Sequence, residues 1–290
     1  MIPPTAAPKE ISISPEGTKY TFLLSESVAL RVNLKTESHH AKTAKLQKGV
    51  TIVYNGIEVA GEGTGFGVPV LKYGSETCFS GTATLRVQEQ ENLTVIHKEF
   101  DMDMVERAEF RNLSLANGKL RKLVDYISTL YQKHRRLGHS ILLIKSLLLK
   151  FGVKENFTKI QTKGKVAVTY TMFPSRLLVR VEHDLVNRIN LEGIFVLNEQ
   201  SAIFFKTYSD SNGSRLVDEE IGAWQPVTAN SAKISDYHGR IGFSLKTIKG
   251  SLLRRGRELL TNSLDWIGLD YEISPESDSF EYEIELFEEG

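Results

Sequence analysis

Short runs in which apolar and polar residues alternate dominate the chain, and a period of two marks a strand with one buried face. Residues 10–14, 19–24 and 28–34 are such runs, separated by Ser-Pro-Glu-Gly and Ser-Glu-Ser turns. Residues 50–54 alternate and lead into Asn55-Gly56, the dipeptide best suited to a two-residue hairpin, so residues 57–60 are the expected partner strand. Residues 76–88 and 92–101 read as a longer hairpin turning at Glu89-Gln90-Glu91.

The period then changes. Leu120, Leu123, Val124, Ile127, Leu130 and Tyr131 recur at helical spacing. Ser114 can cap that helix, cationic residues 133–136 suit its negative end, and Gly138 can close it. A second helix, 141–151, is apolar on nearly every side and is expected inside the core, with Leu143 and Leu147 buried one turn apart. Strand patterning returns at 165–172, 176–183, 194–197, 202–208 and 241–248, with Asn212-Gly213 as a second hairpin-type turn. Residues 251–267 are ambiguous, because their leucines fit a helix while Gly256 weakens it. At the C-terminus Phe280, Tyr282, Ile284 and Leu286 alternate with Glu281, Glu283 and Glu285, which predicts a strand with one acidic face.

The fold class that follows is mainly β: a large antiparallel β-sandwich with a central two-helix segment at about 115–151. Two β-rich halves, 1–112 and 153–290, flank a helical hairpin at 113–152 and are expected to form one composite domain. Strands are not interleaved with helices, which disfavours a doubly wound α/β sheet. In size and layout the pattern is similar to the large sugar-binding sandwiches of the galactose-mutarotase type. That likeness covers no motif and transfers no catalytic residue.

Composition narrows the function classes. Lys+Arg and Asp+Glu both number 36, so the chain lacks the basic excess of a nucleic-acid binder. The single cysteine, Cys78, excludes an intramolecular disulfide and multi-thiolate zinc sites, and a buried core role suits it. The N-terminal stretch has no apolar signal core, and the longest apolar run is too short to span a bilayer. A cytoplasmic protein that engages neither membrane nor nucleic acid is expected.

Candidate chemistry is sparse. The glycines of the 61–67 segment alternate and do not open a helix, so they fail the dinucleotide pattern; they permit close approach of a backbone or a flat ligand, with Glu62 as the nearest acid. No histidine spacing supports a metal, and no cofactor motif is present. On a strand over 176–184, Arg180 and Glu182 share one face, while His183 ends the other, apolar face. Glu182 and His183 are candidate acid and base, as are Asp236 and His238 in the 236–239 loop. Trp224 would supply an aromatic platform, with Arg180 and Glu62 as ligand-binding partners. These residues point to a carbohydrate-binding or carbohydrate-active protein with a saccharide ligand. A non-catalytic structural or protein-interaction scaffold is the alternative, and self-association is compatible with either. The carbohydrate reading requires Glu182, Asp236 and Trp224 to meet in one cleft.

Overall fold

The computed structural model describes residues 10–13, 19–33, 37–39, 44–61, 63–73, 76–79, 82–90, 93–102, 104–110, 155–159, 163–173, 175–186, 190–261 and 264–288. The helical hairpin expected at 115–151 and Glu62 lie outside the described residues. In chain order the first strands are β1 (Glu10–Ile13), β2 (Lys19–Leu23), β3 (Val28–Asn33), β4 (Glu37–His39), β5 (Ala44–Leu46), β6 (Val50–Tyr54), β7 (Ile57–Glu58) and β8 (Gly65–Tyr73). Next come β9 (Glu76–Phe79), β10 (Thr82–Gln90), β11 (Leu93–Asp101), β12 (Met104–Phe110), β13 (Glu155–Lys159), β14 (Gly164–Met172), β15 (Arg176–Leu185) and β16 (Gly193–Gln200). The last are β17 (Phe205–Asp210), β18 (Arg215–Val217), β19 (Gln225–Pro226), β20 (Ser231–Asp236), β21 (Ile241–Lys246), β22 (Ser251–Thr261), β23 (Leu264–Ile273) and β24 (Ser279–Glu288). The helix among the described residues is a single 3-10 turn, Asp218–Ile221.

The protein is mainly β, with two large antiparallel sheets. The first has the order β1-β2-β3-β6-β8-β16-β23-β22-β19, with β7, β9, β12 and β13 branching from it. The second has the order β10-β11-β14-β15-β24-β21-β20-β17-β18. Alternation along the strands explains the layering. In β14, Val166, Val168, Tyr170 and Met172 are buried while the intervening residues are not. In β24, Phe280, Tyr282 and Ile284 are buried, as their spacing requires. One continuous core runs between the sheets, and Phe66 of β8 packs edge-on against Phe243 of β21 at 5.0 Å. Cys78 of β9 belongs to that core.

Turn chemistry holds where it was most explicit. Asn55 and Gly56 both take left-handed backbone angles, φ 49° and 77°, as the hairpin between β6 and β7 demands. The hairpin β10–β11 is also present, paired from Thr82↔Asp101 to Gln90↔Leu93. Two expectations are corrected and one ambiguity is resolved. The 76–88 run is two strands in different sheets, β9 and β10. The strand expected from 202 starts at Phe205, because Phe205 N closes a turn onto Ser201 O at 2.9 Å. The ambiguous 251–267 stretch is a strand and the start of the next: β22 and β23 pair from Ser251↔Ile273 to Thr261↔Leu264.

The alternating glycines of 61–67 do allow close approach, and the visitor is a tyrosine. A side chain at Gly67 would stand 2.8 Å from the Tyr170 ring, and the Tyr170 hydroxyl donates to Phe66 O at 3.0 Å and Gly67 O at 3.2 Å. Tyr170 thereby ties the second sheet to the bulged start of β8.

Candidate functional site

Among the described residues, those singled out from sequence do not converge. Glu182 of β15 lies opposite Ser279 at the start of β24, whereas Ile241, just beyond the Asp236 turn, lies opposite Glu288 at its end. Nine residues of extended strand separate those levels, about 30 Å. Glu182 accepts from the Arg180 guanidinium at 2.8 Å on the outer face of the second sheet. The same face carries Arg176–Glu283 and Lys246–Glu285 pairs, a solvated ladder of the kind that contributes little. His183 is half-buried and its Nε2–H donates to Ser277 O at 2.8 Å, so the ring secures the turn before β24. Asp236 is buried, and its Oδ1 accepts from Arg240 N at 2.6 Å and Ile241 N at 3.3 Å while Oδ2 meets Arg240 Nε at 3.2 Å. That carboxylate pins the β20–β21 turn. His238 is exposed at the turn, edge-on to Tyr237.

Trp224 lies elsewhere, on the outer face of the first sheet, and it is half-buried there. Its ring occupies the space a side chain at Gly256 would fill, 2.4 Å from the nearest ring atom. The face is fixed by register. Leu253 opposite Tyr271 points into the core, so Arg254 opposite Asp270 and Gly256 opposite Gly268 point outward. Gly268 in turn lies opposite Glu199 of β16, and a side chain at Gly268 would meet Glu199 Cγ at 3.1 Å. A row across three strands therefore reads Trp224 over Gly256, then Gly268, then Glu199. The two glycines carry no side chain of their own, and the Trp224 ring and the Glu199 side chain are seated over them.

Two acids share this face. Glu199 and Asp270 are only 6% and 4% exposed. Burial pushes the Glu199 carboxyl up to about 7, against the downward pull of its hydrogen bond from Thr64 Oγ1 at 3.1 Å, and nearby Glu258 raises it further. Burial, and then the charge of Glu199, raise Asp270 well above the carboxylate range, although its Oδ1 accepts from Asn198 N at 2.8 Å. Like charges so placed cannot both ionise cheaply, so the pair holds a proton near neutral pH. Beside them, Arg254 donates to Glu272 at 3.0 Å and lies over the Phe195 ring. Such a pair can give and take a proton, which is what acid/base chemistry needs.

Sequence reading reached Trp224 but missed Glu199 and Asp270. The signal was present: Glu199 follows an apolar run, and Asp270 has the parity of Trp266, Gly268 and Glu272 in β23. Among the described residues, no three His, Cys, Asp or Glu side chains are grouped to hold a metal ion, and no helix is long and apolar enough to cross a membrane.

No protein-family model matches the chain, and no curated protein does. One solved structure, described as "Crystal Structure Analysis of HI1317", aligns over 96% of this chain and 98% of its own with 9% identity and a TM-score of 0.33. At that score the likeness carries no argument about fold or function.

Proposed function

We propose that the outer face of the first sheet binds carbohydrate, and that Glu199 and Asp270 move a proton at the bound sugar. The observation that carries this reading is the row Trp224–Gly256–Gly268–Glu199, with Glu199 held near neutrality and Asp270 beside it. A pyranose presents an apolar C–H face and a rim of hydroxyls. The Trp224 ring suits the first, and the carboxyls and Arg254 suit the second. A group titrating near the working pH is the most effective proton carrier.

Thermal unfolding against a panel of free hexoses, disaccharides and sugar phosphates tests binding, since a ligand of the native state raises the midpoint by mass action. Nuclear magnetic resonance of the same mixtures reads anomer exchange and glycosidic cleavage together. Glu199→Gln should retain binding and lower turnover by about 10²-fold or more, the usual contribution of a general acid or base. Trp224→Ala should abolish the thermal shift. A panel with neither shift nor turnover would reject the carbohydrate reading and leave the scaffold alternative.

A further inference from the structure

Among the described residues, strand β22 has only the two-residue β19 beyond it at the sheet edge, and the chain from Asp218 to Pro226 wraps around that edge. On the inner side of β22, Ile221 is fully buried and its carbonyl accepts from Arg255 Nη1. Arg257, 5% exposed, donates through Nη2 to Asp218 Oδ1 at 3.1 Å and to Ala202 O at 3.2 Å, and its backbone N–H donates to Gly222 O at 3.0 Å. On the outer side, two residues after Gly222, Trp224 covers Gly256. The segment is a clasp with its anchor on one face of the strand and the tryptophan on the other.

The backbone supports this description. Asp218 sits at φ 49° and Gly222 at φ 72°. A left-handed angle is unfavourable for a residue with a side chain, and it persists where surrounding contacts enforce it. The contact at Asp218 is the bond to Arg257. The guanidinium is withdrawn from water, so it needs a charged partner, and Asp218 meets it with a carboxylate oxygen. Arg254 on the outer face and Arg255 and Arg257 on the inner face thus do different work, although they form one basic run in the sequence.

We infer that Asp218 and Arg257 are positioning residues for Trp224: their ion pair on the inner side of β22 sets where the ring lies over Gly256, and through it the affinity of the carbohydrate site. The inference rests on the carbohydrate reading for its functional half, and on geometry alone for the placement of Trp224. Neither residue touches the ligand.

The test uses the full chain labelled with fluorotryptophan. Fluorine resonance distinguishes the two tryptophans, Trp224 and Trp266, with Trp224→Phe giving the assignment. Asp218→Ala should shift or broaden the Trp224 signal and leave that of Trp266 in place. It should weaken binding of the panel's best saccharide by about tenfold, the scale of one dominant contact. Asp218→Asn keeps an acceptor for Arg257 and tolerates the left-handed angle, so it should restore both readings. The double variant Asp218→Ala, Trp224→Ala should bind no more weakly than Trp224→Ala alone, because residues acting through one another are not additive. Should Asp218→Ala fail to fold, Asp218→Gly removes the ion pair while accepting the left-handed angle and carries the same readings.

A folded Asp218→Ala protein with an unmoved Trp224 signal overturns the inference. So does a moved signal with saccharide affinity unchanged. If the signal moves while the unmutated protein binds no saccharide, the carbohydrate reading falls and the placement of Trp224 stands.

Discussion

Glu199 is a carboxyl that the folded protein makes more basic than the unfolded chain does, from an ordinary 4.5 to about 7. The sign of the consequence follows from proton counting. Between those two values the native state holds a proton that the unfolded state has released, so stability falls as pH rises. The contribution is complete below the unfolded value and is lost as pH passes through the folded one, about 3 kcal/mol over that span. Urea unfolding of the protein and of Glu199→Gln, at about pH 5 and about pH 8, isolates it, the range taken from the same shift. The unmutated protein should lose stability relative to the variant at the higher pH; parallel profiles would show that Glu199 titrates normally. Gly256 makes a separate claim at this scale. Gly256→Ala places a methyl group 2.4 Å from the Trp224 ring, so the ring must leave its seat, and tryptophan emission should move to longer wavelength as it meets water. Unchanged emission would place Trp224 somewhere other than over Gly256.

At the scale of elements, legibility followed the local physics. Asn55-Gly56 could be read because its requirement, two left-handed residues in succession, is satisfied by few residue types. The C-terminal strand could be read because its alternation is strict over Phe280, Tyr282 and Ile284. Residues 251–267 resisted because the outward positions of β22 are Arg254 and Gly256 and the inward ones include Arg255 and Arg257, so polarity does not alternate although the faces do. Asp236 looked catalytic for a related reason. A carboxylate beside Tyr-His-Gly reads the same in sequence whether it faces a ligand or the backbone of its own turn, and only the bonds to Arg240 N and Ile241 N distinguish them. Asp236→Ala removes those acceptors and should cost about 1–3 kcal/mol in stability, the penalty for orphaned buried donors. The saccharide response should survive in that variant; its loss would restore Asp236 to the site. Glu199 and Asp270 each carry a local signal, an acid at an outward strand position, but what brings them together is the pairing of β16 with β23, a long-range register that no local pattern encodes.

For the molecule as a whole, the two β-rich halves of the sequence are woven together. In the first sheet β8 pairs with β16, and in the second β11 pairs with β14, so each sheet is closed by strands from both sides of the central segment. The sheets are bound to each other at Asn198. Its Oδ1 accepts from Tyr282 Oη at 2.7 Å and from Gly67 N at 3.2 Å, its Nδ2 donates to Leu269 O at 3.0 Å, and its backbone N–H holds Asp270. One buried amide therefore joins β8, β16, β23 and β24, and it sits beneath the acid pair. Neither half can bury its share of the core without the other: Phe66 from the first half packs on Phe243 from the second, and Tyr170 packs where Gly67 leaves room. A chain so interleaved has no partly folded state in which one half is satisfied, which is the condition for an all-or-none transition. Far-ultraviolet and near-ultraviolet circular dichroism should then trace one coincident urea transition. A fragment of residues 1–112 should show no cooperative unfolding of its own. Asn198→Ala should lower the unfolding free energy by about 2–4 kcal/mol, combining a lost network with a cavity, and shift the single transition to lower urea without splitting it. Two separated transitions, or a cooperative fragment, would mean that the halves are stabilised independently and that Asn198 merely touches a boundary between them.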